Sequence, residues 1–375
     1  MKKVLTIGGA TQDMYLRYEG ADCMSITKKD SSQQYMIFES GEKIEVDNIL
    51  YYTGGGSTNS AVSFKRLGFN SSCFCKIGID NAGKLVLNDL EKESVDISNI
   101  LKSQKHNTGN SIIINSIRGE RTIFAYRGAN GFLQKNEIPM KKIKNCNQLY
   151  ITSLSYGSAN LLPQIVKCAK DNNVPVAINP GSSQLANGTK KLQESLKNID
   201  IFILNSSEAK TFMLALIKNN KDYQKAFESK NKKTNTTSLE NKKRNPHLLT
   251  SPLTHENFYF SINKFFKEVL KMGPKIIVVT NGANGVYVST KKEIIFHPSI
   301  KTEVVDTLGA GDSFGSCFVA SLLHGYDIYD ALKNGIINSA SVIGHYGAKP
   351  GLLTKKQLEE KRKKIKKNLI QKFKF

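Results

Sequence analysis

The sequence predicts an α/β fold built on a mainly parallel sheet with helices over both faces. Short apolar runs, rich in β-branched residues and closed by Gly, Asn or Ser, recur at residues 4–9, 72–77, 149–154, 175–179, 201–205 and 276–280. Runs of that length and composition suit strands buried on both faces. Amphipathic stretches separate them. Residues 59–67 place Ala61, Val62, Phe64 and Leu67 on one side of a helix, and residues 84–92 and 161–170 repeat the spacing. A strand-then-helix rhythm of this kind makes a parallel sheet covered on both sides. The length, 375 residues, leaves ample room for a core,.

Two stretches break the rhythm. Residues 34–53 alternate around Ser40-Gly41-Glu42 and read as a hairpin; residues 109–127 alternate around Arg118-Gly119-Glu120 and read as a second,. Lying outside the parallel sheet, segments 14–53 and 109–127 form a small β element of the kind that closes over a ligand as a lid. Residues 218–257 are rich in Lys, Asn, Ser and Thr and include Asn231-Lys232-Lys233-Thr234-Asn235-Thr236-Thr237. Such a composition buries too little apolar surface to offset the entropy of ordering, so the segment reads as a flexible surface insertion. The expected organisation is a single domain over residues 1–375, carrying this insertion and a basic C-terminal tail at 355–375.

Composition narrows the functional classes. With 39% hydrophobic and 23% charged residues, the chain is neither disordered nor fibrous,. No apolar run approaches the ~20 residues of a membrane span. The N-terminal apolar run reaches Gly8-Gly9 too soon for a secretory leader and reads as a first strand,. Cys23, Cys73, Cys75, Cys146, Cys168 and Cys317 form no CxxC pair, which points to ordinary thiols in a reducing cytoplasm,. The net charge is +22, of which residues 218–245 hold +6 and residues 355–375 hold +8. The excess sits mainly in one insertion and one tail, without interleaved aromatic residues, and reads as solvated surface rather than a nucleic-acid interface. The scattered histidines show no metal-ligand spacing. Ser155 and Ser158 lack a GxSxG setting, which argues against a hydrolase,. The first strand leads to Gly8-Gly9-Ala10-Thr11-Gln12-Asp13 without GxGxxG, which argues against a nicotinamide dehydrogenase,.

Three runs carry chemistry. Asp306-Thr307-Leu308-Gly309-Ala310-Gly311-Asp312 follows a run at 302–305 that reads as a strand, and it precedes a helical pattern with Phe314, Cys317, Phe318 and Leu322 on one face. Small residues at a helix start let a ligand approach the backbone and leave amide N–H groups free for an anion. Asp312 beside them could take a hydroxyl proton; the plain alternative is a capping Asp on a Gly-rich turn. Gly54-Gly55-Gly56-Ser57-Thr58-Asn59 leads into a helix, and Asn59 can both donate and accept hydrogen bonds,. Asp13, after the first strand, adds a polar group in a βα loop, where open α/β sheets bind ligands. Asn205-Ser206-Ser207-Glu208 closes a strand and could hold phosphate or the water shell of Mg²⁺, or simply cap a helix,.

In this order along the chain, the motifs resemble the ribokinase-like carbohydrate kinases, the phosphofructokinase-B (PfkB) type. Gly54 to Ala61 is similar to the family's first Gly-rich motif. Gly78-Ile79-Asp80-Asn81-Ala82-Gly83 is similar to its next segment, and Arg118 to Arg121 with Gly128-Ala129-Asn130 to its second lid region. Asn205 to Glu208 resembles its NxxE element, Thr280-Asn281-Gly282-Ala283-Asn284-Gly285 its nucleotide-side loop, and Asp306 to Asp312 its DTxGAGD motif. The resemblance implies a three-layer α/β/α sandwich with a β-lid and ATP-dependent phosphoryl transfer to a sugar hydroxyl. It makes Asp312 the base and Gly309, Ala310 and Gly311 the anion hole. Asn205 would serve phosphate, and Glu208 would hold Mg²⁺ through water. Asp13, Gly55, Gly56 and Asn59 would line the acceptor. Thr280, Gly282 and Gly285 would lie by the nucleotide, and Asn338 by the adenine. It also implies ATP, Mg²⁺ and optionally K⁺, and a homodimer through the lid. Ribokinases proper carry a Lys at the position of Gly56, and an acidic sugar contact where this chain reads Thr152-Ser153-Leu154-Ser155-Tyr156-Gly157. These departures bear on ribose as the acceptor, not on phosphoryl transfer. A nucleoside kinase of the same superfamily is the alternative, and a non-catalytic metabolite- or RNA-binding protein a remote one.

Overall fold

Side-chain alternation in the buried strands decides the architecture. In strand Lys3–Ile7, Leu5 and Ile7 join one buried cluster and Val4 joins another. The same split divides Leu149 and Ile151 from Tyr150, Phe202 and Leu204 from Ile203, and Ile277 and Val279 from Val278. Successive residues of a strand face opposite sides, so an unbroken apolar run must be covered twice. Helices Leu162–Asp171, Ser206–Asn219 and Ile262–Lys271 cover one face; Gly56–Arg66, Ala310–Leu323 and Ile328–Val342 cover the other. The result is the expected three-layer α/β/α sandwich. The computed structural model describes the chain except residues 18–21, 29–30, 116–120, 188, 220–222, 224–245, 252, 256–257 and 366–368.

Among the described residues the central sheet has nine strands. Asn70–Phe74, Lys3–Ile7, Gln148–Ile151, Val176–Ile178, Ile201–Asn205 and Ile276–Thr280 run parallel in that spatial order. Val286–Ser289, Ile294–His297 and Gln371–Phe373 extend it in antiparallel fashion. The basic C-terminal stretch therefore contributes a helix, Lys355–Lys364, and an edge strand, with Lys372 lying over the Tyr329 ring at 3.8 Å.

A second, four-stranded sheet joins Arg121–Tyr126, Gly109–Asn115, Thr11–Arg17 and Asn48–Gly54 in that order. Residues 109–126 pair as the expected antiparallel hairpin, whose turn falls outside the described residues. The other expected hairpin is corrected. Ser31–Ile37 pairs with Asp22–Lys28, whereas Asn48–Gly54 pairs with Thr11–Arg17. Alternation marks a strand but does not choose its partner, and residues 38–47 between the two are a long exposed connection rather than a tight turn,. Residues 302–305 are likewise no strand: the N–H groups of Val305 and Asp306 both bond the carbonyl of Ile343 in a loop. Most of the low-complexity segment 218–257, including Asn231 to Thr237, lies outside the described residues.

Deleting residues 369–375 removes the edge strand and uncovers the hydrogen-bonding edge of Ile294–His297. Melting should fall by about 2–4 °C, with more aggregate on heating, as read by scanning fluorimetry with light scattering.

Candidate active site

The site forms where the parallel strands end. Gly309 has φ 76°, a left-handed conformation that a side chain resists, and a Cβ there would lie 2.4 Å from that of Ala348,. From this turn the helix Ala310–Leu323 starts. Its first-turn amides, those of Gly311 and Asp312, have no intrahelical acceptor, and nothing lies within 4 Å of where a Gly311 side chain would project. This is an open anion cradle at a helix N-terminus.

Asp312 stands in that turn, half-buried, and its Oδ2 accepts a hydrogen bond from Asn59 Nδ2 at 2.8 Å. Burial holds its carboxyl above the usual carboxylate range; the Asn59 amide opposes this, the Asp13 charge adds to it and the Lys349 charge opposes it,. Asn59 is 4% exposed, and its Oδ1 is buried with no partner among the described residues. A buried carbonyl oxygen so placed costs free energy unless a ligand supplies a donor.

Asn59 belongs to the helix Gly56–Arg66, which Gly55 starts with φ 95°. A Cβ on Gly55 would lie 2.4 Å from the Gly9 carbonyl oxygen. Asp13, 4% exposed, is not in a βα loop as expected but on the strand Thr11–Arg17 of the smaller sheet. Its Oδ1 accepts from Thr11 Oγ at 3.0 Å, and burial raises its carboxyl above the usual range against the Ser111 and Thr11 hydroxyls.

Asn205 and Glu208 bond reciprocally: the Glu208 carboxylate accepts from the Asn205 amide and Asn205 Oδ1 from the Glu208 amide, each at 2.8 Å. This is the capping pattern the spacing allowed. It also aims the Glu208 carboxylate into a cavity of about 350 Å³ lined by Asn179, Asn205, Glu208, Thr280, Gly309, Gly311 and Asp312 among others. Burial raises the Glu208 carboxyl, the Asn205 backbone bond opposes this, and the Asp312 charge adds to it. A carboxyl pressed upward by burial and by the Asp312 charge fits a hydrated divalent cation, which would relieve it,.

The fold thus brings Asp13, Gly55, Gly56, Asn59, Asn205, Glu208, Thr280, Gly309, Ala310, Gly311 and Asp312 to one end of the sheet. Gly282 and Gly285 shape the turn after Thr280, outside that cavity lining. Asn338 lies outside that cavity lining, and its side chain is occupied within the protein. It is fully buried, donating to the Ser313 carbonyl at 2.9 Å and accepting from the Leu353 N–H at 3.0 Å, so it pins the helix that carries Asp312. Its amide looked available because sequence cannot distinguish a buried bond from a free one. Asn179 was missed, although it follows an apolar run and precedes Pro180-Gly181, the mark of a strand end in a parallel sheet,. Lys349 was also missed. It is 6% exposed, and its Nζ bonds Asp89 at 2.8 Å and Thr53.

A carboxylate beside a helix-start anion cradle, with a second polar wall facing it, fits a phosphotransferase that acts on an alcohol. A profile of the pfkB family carbohydrate kinases matches residues 21–239 and 261–355. The chain belongs to this family of carbohydrate kinases. It is 24% identical over 352 residues to a ribokinase of Staphylococcus aureus, covering 93% of this chain and 96% of the relative. In fold it is similar to the Arabidopsis thaliana ribokinase complexed with ribose and ATP (TM-score 0.71, 19% identity, 96% of this chain and 98% of that one). It is also similar to a Methanocaldococcus jannaschii nucleoside kinase (TM-score 0.69, 21% identity, 97% and 99% covered).

A raised folded-state pKa means that ionising Asp312 opposes folding above its unfolded pKa, and the penalty disappears as pH falls through the folded value,. Asp312→Asn should therefore melt higher than the parent at pH 7. The gap should close toward pH 4, as a pH series of thermal melts would record.

Proposed function

We propose that this kinase transfers the γ-phosphoryl group of ATP to a hydroxyl of a sugar or sugar-like molecule, with Asp312 as base. The observation that carries the reading is the Asn59–Asp312 bond beneath the free first-turn amides. Acceptor hydroxyls donate to Asp13 and to the unpartnered Asn59 Oδ1. The reacting hydroxyl gives its proton to Asp312 while its oxygen attacks the γ-phosphorus, and ADP leaves. The amides of Gly311 and Asp312 hold the charge on the transferring group. Glu208 would hold Mg²⁺ through its water shell and Asn205 would serve the phosphates; the cation would supply neutralisation of the phosphate charge. The four-stranded sheet acts as a lid that shields the transfer from water.

A nucleoside acceptor is the second reading, and Tyr156 favours it. This residue lies in the segment 152–157, where the sequence departs from the acidic sugar contact of ribokinases. It has φ 43°, is 65% exposed, and packs its ring against Gly131, where a Cβ would come within 2.8 Å. An exposed ring in a strained conformation suits stacking on a flat base.

The lid also supports a homodimer. Phe124, Ile112, Met14 and Tyr51 stand in register across its four strands, and Phe124, Ile112 and Tyr51 are exposed by 57%, 37% and 53%. Such a row across a sheet face is an association surface.

An ATP-consumption screen over sugars, sugar phosphates and nucleosides tests the reading. The active acceptor should lose turnover by ~10²-fold or more in Asp312→Asn, and near-parental turnover in the folded variant would refute the assignment. Tyr156→Ala should raise the acceptor KM severalfold if that acceptor is a nucleoside and leave it unchanged if it is a simple sugar. For the dimer, the parent should weigh twice the chain mass of 41.7 kDa, and Phe124→Lys should weigh one chain by light scattering.

A further inference from the structure

Asp306 opens the Gly-rich motif and stands behind the turn that carries the cradle. Its side chain is 5% exposed and acts as a node. Oδ1 accepts from the Leu308 N–H at 2.9 Å, closing the turn directly before Gly309. Oδ2 accepts from the Gly347 N–H at 3.3 Å, and Gly347 precedes Ala348, the residue that packs against Gly309. Oδ2 also accepts from the Tyr15 hydroxyl at 2.5 Å. A buried carboxylate depends on such donors. Here they come from the motif's own loop, from the segment behind Gly309, and from the lid.

Tyr15 is two residues beyond Asp13 on the strand Thr11–Arg17, so both side chains face inward, about 7 Å apart along it,. Its ring is 3% exposed and packs edge-on against Tyr52 (5.5 Å, 85°) and Tyr346 (6.2 Å, 77°). One strand therefore carries an acceptor contact and a bond to the turn that presents the anion-hole amides.

We propose that Tyr15 is a positioning residue whose hydroxyl ties the acceptor-bearing lid strand to Asp306, so that seating the acceptor at Asp13 aligns the amides after Gly309. The role rests on the kinase reading above. Displacing the strand would move Asp13 and Tyr15 together and loosen the Asp306 turn. The cradle is then misaligned, and ATP is spared from transfer to water. With the acceptor seated, the strand, the turn and the segment 346–348 lock together through the one carboxylate.

The test uses full-length Tyr15→Phe, which removes the hydroxyl and keeps the ring contacts, beside Tyr126→Phe, an exposed tyrosine of the lid, as control. Amide hydrogen exchange on the ligand-free proteins should be at least about fivefold faster at residues 307–312 in Tyr15→Phe, with helix Ile328–Val342 unchanged and no change in the control. With the acceptor found by the screen, kcat should fall about tenfold, the effect of one charge-assisted bond, while the acceptor KM stays within about twofold. Unchanged exchange at 307–312, exchange accelerated equally throughout the protein, or unaltered kcat would each overturn the proposal. If Tyr15→Phe proved insoluble, Asp306→Asn should give the same local exchange pattern, and its absence would also overturn it. If the parent phosphorylates no acceptor, the kinase reading fails by that result alone, while the exchange measurement still decides whether the tie exists.

Discussion

The site depends on one contact between distant parts of the chain, the bond from Asn59 to Asp312 across 253 residues of sequence. It can form because the helices Gly56–Arg66 and Ala310–Leu323 lie side by side on one face of the sheet. Ser316 Oγ donates to Ser63 Oγ at 2.7 Å between them, and Phe64 shares a buried cluster with Phe314 and Phe318. The first helix brings Asn59, and the second brings Asp312 and the first-turn amides proposed as base and anion cradle. Neither half is a site without the other. The packing of two small-residue helix starts is therefore as functional as the charges they present.

Concentrating charge in this cleft has a cost that the surroundings partly offset. Burial pushes Asp13, Glu208 and Asp312 toward protonation. Lys349 acts against this, since its charge lowers both Asp13 and Asp312, and its own burial is balanced by Asp89 and Thr53. The Asp89 carboxyl is in turn held low: burial raises it, and the charge and bond of Lys349 with the Thr53 bond outweigh that. A buried ion pair behind a site adds little net stability. Here the charge of Lys349 opposes part of the rise that burial imposes on Asp13 and Asp312. Activity and stability are in opposition at Asp312, and hydroxyl donors or a hydrated cation are what relieve the conflict.

Much of this was legible in the sequence because it is local. Buried parallel strands announce themselves as short apolar runs, and Asp306 to Asp312 and Gly54 to Asn59 carry their chemistry in neighbouring residues. What was not legible is relational. Strand Ser31–Ile37 has the alternation of a hairpin partner for Asn48–Gly54 but pairs on its other side, because partners are chosen by packing. Asn338 and Asn59 are both buried asparagines. One saturates its amide inside the protein and the other leaves Oδ1 unpartnered at the site, a difference set by helices that meet only in the fold. Lys349 sits in a loop near the far end of the chain with no motif around it, so nothing local marks it as the cation behind Asp13 and Asp312.

The two departures from the ribokinase pattern, separate in sequence, are one change in space. A Cβ added to Gly56 would lie 2.7 Å from the Thr152 Cβ and 2.8 Å from its hydroxyl. The corner where ribokinases place a lysine is thus already filled from the strand end where they place an acidic contact. Restoring lysine alone at position 56 would force Thr152 aside, and Thr152 is held by its N–H to the Ile7 carbonyl at 2.8 Å. The backbone there belongs to the sheet, so the side chain has little room to yield. A lysine and its acidic partner would have to be exchanged for Gly56 and the Thr152 segment together. The phosphoryl-transfer half carries no such coupling and keeps the family's pattern. The two positions of the acceptor half can therefore change only together, whereas the motif around Asp312 is free of that constraint.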